Sequence, residues 1–157
     1  MKKNQQGFSL IELLIVVVVI GIIAAIAVPN LLAARRAANE GSAVSLMRSL
    51  HSANGTYQSS VGGGKFADNL AALNTAKLID SDVASSITPA TARSGYYYIY
   101  DNFDVPDDPS NFNITAKPAN SDSLTATGTH EFFVDGSGVI RIALKDVSIA
   151  SPAFNKQ

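Results

Sequence analysis

The sequence predicts an α+β protein in which one long amino-terminal helix, its front half crossing a membrane, packs on a small antiparallel β-sheet head. Three observations support this fold class. Residues 8–28 are apolar enough to span a bilayer, an amphipathic pattern continues the helix beyond Pro29, and four short strand patterns follow residue 95. A helix followed by a run of strands is typical of α+β domains.

The composition limits the classes of function. The chain has 157 residues, 46% of them hydrophobic and 16% charged, with a net charge of −1. This length suits one domain with a single core, and the small net charge provides no basic surface for nucleic acid. Cysteine is absent, which excludes disulfides, thiolate metal sites and cysteine nucleophiles. His51 and His130 stand apart from any nucleophile or metal set, so we expect no enzymatic activity and no cofactor.

The apolar segment from residue 8 to residue 28 has the length of a membrane span. Its 21 residues would form a helix of roughly 32 Å, close to the thickness of a hydrocarbon core. A secretory signal peptide has a shorter apolar region of about 7–15 residues. A simple anchor would explain the length but not Glu12, because a charge at bilayer depth costs at least about 2.5 kcal/mol.

The stretch GFSLIELLIVVVVIGIIAAIAVPNL, residues 7–31, resembles the amino terminus of type IV pilins and of the pseudopilins of type II secretion. These proteins are filament subunits made with a class III signal. The resemblance is specific over residues 2–39 and loose over the head. The matching features are a basic leader, a glycine before the junction, a phenylalanine after it, a carboxylate and a proline that closes the apolar span (Lys2, Lys3, Gly7, Phe8, Glu12 and Pro29).

The resemblance implies that a prepilin peptidase cuts between Gly7 and Phe8 and then N-methylates the new amino terminus. Residues 1–7 would be the leader, and its removal changes the net charge from −1 to −3 because Lys2 and Lys3 are lost. Glycine suits the cut because its backbone can extend into a protease cleft. The mature chain would have the ladle shape of a pilin, divided into a transmembrane and assembly helix, the amphipathic second half of that helix, and a globular head (8–29, 30–54 and 55–157).

Glu12 is predicted to be the assembly residue. After cleavage Phe8 has a free amine, and residues four apart are neighbours on a helix. Glu12 can therefore meet its own amino terminus or, in a filament, the Phe8 amine of a neighbouring subunit. A carboxylate paired with an ammonium in a low dielectric loses most of its burial penalty, whereas a subunit docked at the wrong height leaves it unpaired. The alternative is a carboxylate that only reaches the cytoplasmic interface of the membrane.

The helix is predicted to cover residues 8–54, with two weak points. Pro29 lacks a backbone donor and Gly21 has a low helix propensity, so we expect a bend at each. Asn54-Gly55 is a typical stop signal. Between Pro29 and that stop, apolar residues recur at helical spacing (Ala43, Leu46, Met47, Leu50 and Ala53).

The head is predicted to contain four antiparallel strands, because strand patterns follow one another with short connections. Asp135-Gly136-Ser137-Gly138 is the expected hairpin turn between the last two. Tyr96, Tyr98 and Tyr100 share one face of the first strand, which indicates packing in the core or between subunits. The strand patterns cover residues 96–100, 112–117, 131–134 and 139–143.

The loop DNFDVPDDPSN supplies candidate calcium ligands, because carboxylate oxygens are the groups that calcium prefers. The resemblance adds that major pseudopilins often hold calcium in the head. The spacing differs from an EF-hand, and Pro106 and Pro109 suit a plain surface turn, which is the alternative. The candidate ligands are Asp101, Asp104, Asp107 and Asp108.

The function implied by the resemblance is that of a structural subunit that polymerises through its amino-terminal helix into a type IV pilus, for adhesion, twitching motility or DNA uptake. A pseudopilin of type II secretion and a membrane-anchored periplasmic binding domain are the alternatives. The expected partners are identical or related subunits, the prepilin peptidase, an inner-membrane assembly platform and, before assembly, membrane lipid. The precursor is expected to cross the bacterial inner membrane once, before entering an extracellular pilus or a periplasmic pseudopilus.

Overall fold

The computed structural model of the chain describes residues 8–102, 112–122 and 125–144. This part of the chain confirms the α+β class, with one long amino-terminal helix ahead of a small sheet. Two compact units are formed, Met1–Arg35 and Arg36–Gln157. The elements are α1 (Leu10–Ser60), α2 (Leu70–Thr75), α3 (Ser81–Ala84), a 3₁₀-helix (Pro89–Thr91), β1 (Tyr96–Asn102), β2 (Phe112–Pro118), β3 (His130–Asp135) and β4 (Arg141–Leu144).

The first unit contains the apolar beginning of α1. Every residue from 8 to 31 is exposed, although this stretch is rich in leucine, isoleucine and valine. Among the described residues, α1 is the one helix long and apolar enough to cross a membrane, with a mean hydropathy of 3.2 over 18 residues. An apolar surface of this size requires lipid or other protein against it. The helix continues through Gly21 and Pro29, and the bends at these residues stay predictions.

The end of α1 differs from the sequence prediction. Asn54-Gly55 was expected to stop the helix, but α1 continues to Ser60. Asn54 is fully buried and uses its side chain for long-range contacts instead: Nδ2 donates to Tyr100 Oη at 3.0 Å, and Oδ1 accepts from Ala67 N at 3.2 Å. The chain leaves the helix through three glycines, where Gly64 has a φ of +94°, a conformation that side chains disfavour.

The four strands form one antiparallel sheet in the order β1-β2-β3-β4, as short connections predict. Tyr98 lies opposite Ala116, and the first three strands fall where the sequence places them. β4 begins at Arg141 rather than at residue 139, because residues 136–140 form the connecting loop. Gly138 N–H donates to Asp135 O at 3.0 Å, which confirms the turn predicted there.

A hydrophobic core lies in the second unit, between α1, the short helices and one face of the sheet. Tyr96 and Tyr98 are buried in it, and the ring of Tyr100 stacks on Phe112 with centroids 5.9 Å apart. The three tyrosines therefore share a packing face, as the strand period predicts. The core residues are Ala43, Met47, Leu50, Ala67, Leu70, Leu73, Val83, Tyr96, Tyr98, Phe112, Ile114, Ala116, Phe132 and Val134.

Candidate processing and assembly site

The processing junction lies just ahead of α1. Gly7 and the leader lysines fall outside the described residues, whereas Phe8 is described and is 83% exposed. The sequence predicted that the helix begins at Phe8, but it begins at Leu10. Ser9 explains the difference, because its carbonyl accepts the first helical hydrogen bonds, from Glu12 N at 3.1 Å and from Leu13 N at 3.3 Å. Ser9 is thus the N-cap, and Phe8 precedes the helix.

Glu12 is held at the start of the helix by its own chain. The Ser9 N–H donates to Glu12 Oε2 at 2.9 Å. This is the glutamate half of a capping box, in which the third helical residue accepts a hydrogen bond from the N-cap amide. Its negative charge is also favoured by the positive end of the helix dipole. Among the described residues, no donor reaches Glu12 Oε1, so one carboxylate oxygen remains available for a second partner.

Ser9 caps α1 and is not among the residues singled out from the sequence. The signal was present, because Ser9-Leu10-Ile11-Glu12 has the Ser-x-x-Glu spacing of a capping box. In the sequence alone Glu12 stands out as a charge in an apolar segment, for which a cationic partner is expected. The structure adds a neutral partner three residues away.

Gly21 and Pro29 lie away from this site along the helix, about 14 Å and about 26 Å from Glu12 at 1.5 Å per residue. Pro29 has no N–H to donate to the carbonyl of Ala25, its partner position in the helix. The Asn30 side chain donates to the next carbonyl, Ile26 O, at 3.1 Å. The backbone hydrogen bond from residue 29 to Ala25 is therefore absent, and the bend at Pro29 stays a prediction.

The calcium candidates fall mostly outside the described residues, as Asp104, Asp107 and Asp108 do. Asp101 is described and lies exposed on β1, opposite Asn113 of β2, and Asn113 lies opposite Asp135 of β3. The side-chain oxygen of Asn113 is buried without a hydrogen-bond partner, which is unusual for a buried amide. Asp135 itself is paired with Arg141 at 2.6 Å and accepts from Ser137 N at 3.0 Å. The described residues contain no group of three or more metal-ligating His, Cys, Asp or Glu side chains.

A binding domain carried on an anchor would need polar groups that converge on a cleft in the head. A groove of about 570 Å³ runs beside α1, and small side chains such as Ala38, Ser42 and Ser45 line most of it. Arg93 is the one charged residue in its lining. This groove therefore brings together no acid–base pair and no set of metal ligands.

Comparison of the sequence with known proteins finds similar proteins among pilins and type II secretion core proteins. Residues 2–28 match the prokaryotic N-terminal methylation motif. The chain is 38% identical over 94 residues to the type IV wide pilus major component PilA4 of Thermus thermophilus, which covers 59% of this chain and 70% of PilA4. No solved structure matches the chain.

Core proteins G of type II secretion systems are also similar. The chain is 30% identical over 110 residues to protein G of Klebsiella michiganensis, covering 69% of this chain and 70% of that protein. It is 39% identical over 57 residues to protein G of Aeromonas hydrophila, covering 36% of this chain and 40% of that protein. The first of these matches extends beyond the amino-terminal helix, whereas the second is about as long as the leader and helix.

Proposed function

The chain belongs to the family of type IV pilins and type II secretion pseudopilins, and we propose that it polymerises into a type IV pilus. The match to PilA4 carries this proposal. At 94 residues it is longer than the leader and α1 together, so it includes part of the head. Because the amino-terminal helix is common to pilins and pseudopilins, similarity in the head is the part that separates them.

A pseudopilin of type II secretion is the second candidate. The match to Klebsiella protein G extends over 110 residues and therefore also includes part of the head. Its identity is 30%, compared with 38% for PilA4 at a similar coverage of the relative. This difference in identity favours the pilus. The secretion role is the alternative that the experiment below must exclude.

The proposed path begins with a membrane precursor. The exposed apolar stretch 8–31 would lie in lipid, a prepilin peptidase would cut between Gly7 and Phe8, and Phe8 would be N-methylated. On assembly the same stretch would exchange lipid for the helices of neighbouring subunits. An apolar helix suits both surroundings, since neither requires a polar side chain on its surface.

Glu12 is proposed to set the height at which subunits dock. Its Oε2 already accepts the Ser9 N–H at 2.9 Å, so the helix start is satisfied without a second subunit. Its Oε1 can accept a hydrogen bond from the Phe8 ammonium, either of the same chain or of a neighbouring subunit. An ammonium within about 4–6 Å favours the charged carboxylate, and the two charges are neutralised only when the register is correct.

Electron microscopy of sheared surface fractions tests the pilus proposal. Wild-type cells should yield filaments that contain this chain by mass spectrometry, and a strain lacking the gene should yield none until the gene is restored. If the deletion strain keeps its surface filaments but no longer secretes proteins across the outer membrane, the chain is a pseudopilin instead.

A further inference from the structure

One face of α1 is tied to a distant segment of the head by polar side chains. Arg36 Nε donates to Ala126 O at 3.1 Å, and Asn39 Nδ2 donates to Thr127 O at 2.9 Å. These residues belong to the first turn of α1 inside the second unit, which begins at Arg36. The contact therefore lies where the chain changes from an exposed helix to a packed one.

Glu40, one residue further along the same face, makes the most contacts. Its Oε1 accepts from Thr129 N at 2.7 Å and from Thr129 Oγ1 at 2.8 Å, and its Oε2 lies 3.1 Å from His130 Nδ1. Arg36, Asn39 and Glu40 are spaced so that they share one side of a helix. Together with residues 126–130 they form a set of hydrogen bonds that we name the clamp.

Residues 126–130 are themselves fixed to the sheet. Thr127 Oγ1 donates to Gly95 O at 2.7 Å, and Tyr96 Oη donates to His130 O at 2.8 Å. A Cβ on Gly128 would lie 1.9 Å from Tyr96 Oη, so only glycine allows this approach. The clamp thus joins α1 to a segment with its own support on β1.

Burial does not hold the first turn of the second unit. The first buried residue of α1 is Ala43, so residues 36–42 precede the part of the helix that packs in the core. Their side chains are exposed or half-buried. Among the described residues, the hydrogen bonds of the clamp are therefore the tertiary contacts that hold this turn in place.

We propose that the clamp is a stop for unwinding of α1. Once a helix has opened at a weak point, the opening can spread from residue to residue, because each further step costs only one hydrogen bond. Pro29 provides such a point, and the side chains of residues 30–35, between it and the clamp, are exposed or half-buried. The clamp holds the backbone from Arg36 onward, so the assembly helix can change shape while the head keeps its packing.

Amide hydrogen exchange of the full-length mature chain in detergent micelles tests whether the clamp stops the unwinding of α1. Amides bond to the carbonyl four residues earlier, so unwinding that halts before Arg36 frees the amides up to residue 39 and spares those from Glu40 on. Arg36→Ala and Glu40→Gln should raise exchange of amides 40–46 at least tenfold. Arg35→Ala is the matched control, since it removes the same charge from the exposed neighbour and should leave these amides protected.

The amides of Tyr98 and Ile114 report whether the core remains folded. The stop is overturned if amides 40–46 exchange at the same rate in Arg36→Ala, Glu40→Gln and Arg35→Ala while these two stay protected. Thr129→Val covers the case in which Glu40→Gln does not fold, because valine keeps the size of threonine and removes one donor to Glu40. Equal exchange in Thr129→Val and Arg35→Ala would likewise overturn the proposal.

Discussion

Glu12 caps the start of α1 within a single chain, and we propose that the same carboxylate also serves the assembly of a filament. Oε2 completes the start of α1 through the Ser9 N–H, at 2.9 Å. This contact exists within a single chain and needs no neighbour. The charge at the amino end of the helix is therefore stabilised before assembly, and the proposed pairing with a Phe8 ammonium would add specificity for the docking register.

Replacing Glu12 separates these two contributions. Glu12→Gln keeps an oxygen for the Ser9 N–H but removes the charge, and Glu12→Leu removes both. If the charge pairs with a Phe8 amine, both variants should insert in the membrane and be cleaved normally, yet form few or no filaments. Removing one partner of a buried pair typically costs about 3–5 kcal/mol. Normal filament yield by electron microscopy from both variants, at normal membrane levels, would contradict the pairing.

The lowered pKa of Glu40 predicts that its contribution to the stability of the fold depends on pH. Burial by itself raises the pKa of Glu40, but hydrogen bonds from the Thr129 N–H and hydroxyl and from His130 outweigh it, so the pKa lies below its usual 4.5. A carboxyl group with a depressed pKa stabilises the fold above its unfolded pKa, and this contribution is lost as the pH falls through the folded pKa. The wild type should therefore melt at a higher temperature than Glu40→Gln at pH 7.

The difference between the two melting temperatures should shrink steadily below about pH 4.5, where the wild-type carboxyl group becomes neutral like the amide. Asp135 also has a lowered pKa, but it titrates equally in both proteins and cancels in the comparison. A difference that stays constant from pH 7 to pH 3 would show that the Glu40 charge contributes nothing.

The segment that precedes β3 depends on Gly128. In Gly128→Ala the new methyl group would lie 1.9 Å from Tyr96 Oη and would disturb the hydrogen bond from that hydroxyl to His130 O. Overpacking of this kind typically costs about 1–3 kcal/mol, so the melting temperature of the full-length protein in detergent should fall.

Gly41→Ala is the control for this change. Gly41 lies on an exposed part of α1, and nothing lies within 4 Å of the position its Cβ would take. Alanine in a helix interior is more favourable than glycine by about 0.5–1 kcal/mol. The two substitutions should therefore shift the melting temperature in opposite directions, and a stabilised Gly128→Ala would disprove the close contact.

Calcium binding by Asp101, Asp104, Asp107 and Asp108 stays a prediction, based on the preference of calcium for carboxylate oxygens. Of these four aspartates, Asp101 is described and is exposed on β1. Chelation should lower the melting temperature of the full-length protein in detergent, and added calcium should restore it. Asp101→Asn should abolish this effect, whereas Asp122→Asn, another exposed aspartate, should keep it. Identical melting with and without calcium would favour a plain loop.

We expect the mature protein to be shorter than the chain that its gene encodes. Intact-mass measurement of the protein from its host should give a chain that begins at Phe8 and carries one added methyl group. Replacing Gly7 by leucine should leave the uncut precursor in the inner membrane, because a large side chain at the junction opposes the extended backbone that a protease requires. A mature chain that retains Lys2 and Lys3 would rule out processing by a prepilin peptidase.

The sequence by itself determined the parts of this protein that depend on neighbours along the chain. The apolar span, the four strands and the β3–β4 turn follow from periodicity and turn residues over a few positions. The motif at residues 2–28 is equally local, and so is the capping contact between Ser9 and Glu12, which the Ser-x-x-Glu spacing encodes.

Only the tertiary structure decided where α1 ends and how it is fixed to the head. Asn54-Gly55 has the composition of a helix stop, yet Asn54 is buried and bonds to Tyr100, 46 residues later. Glu40 meets Thr129 across 89 residues. Local propensity is worth less than about 1 kcal/mol per residue, whereas leaving a buried polar group without a partner costs about 1–3 kcal/mol. The long-range contact therefore decides, and its partner is known only once the chain has packed.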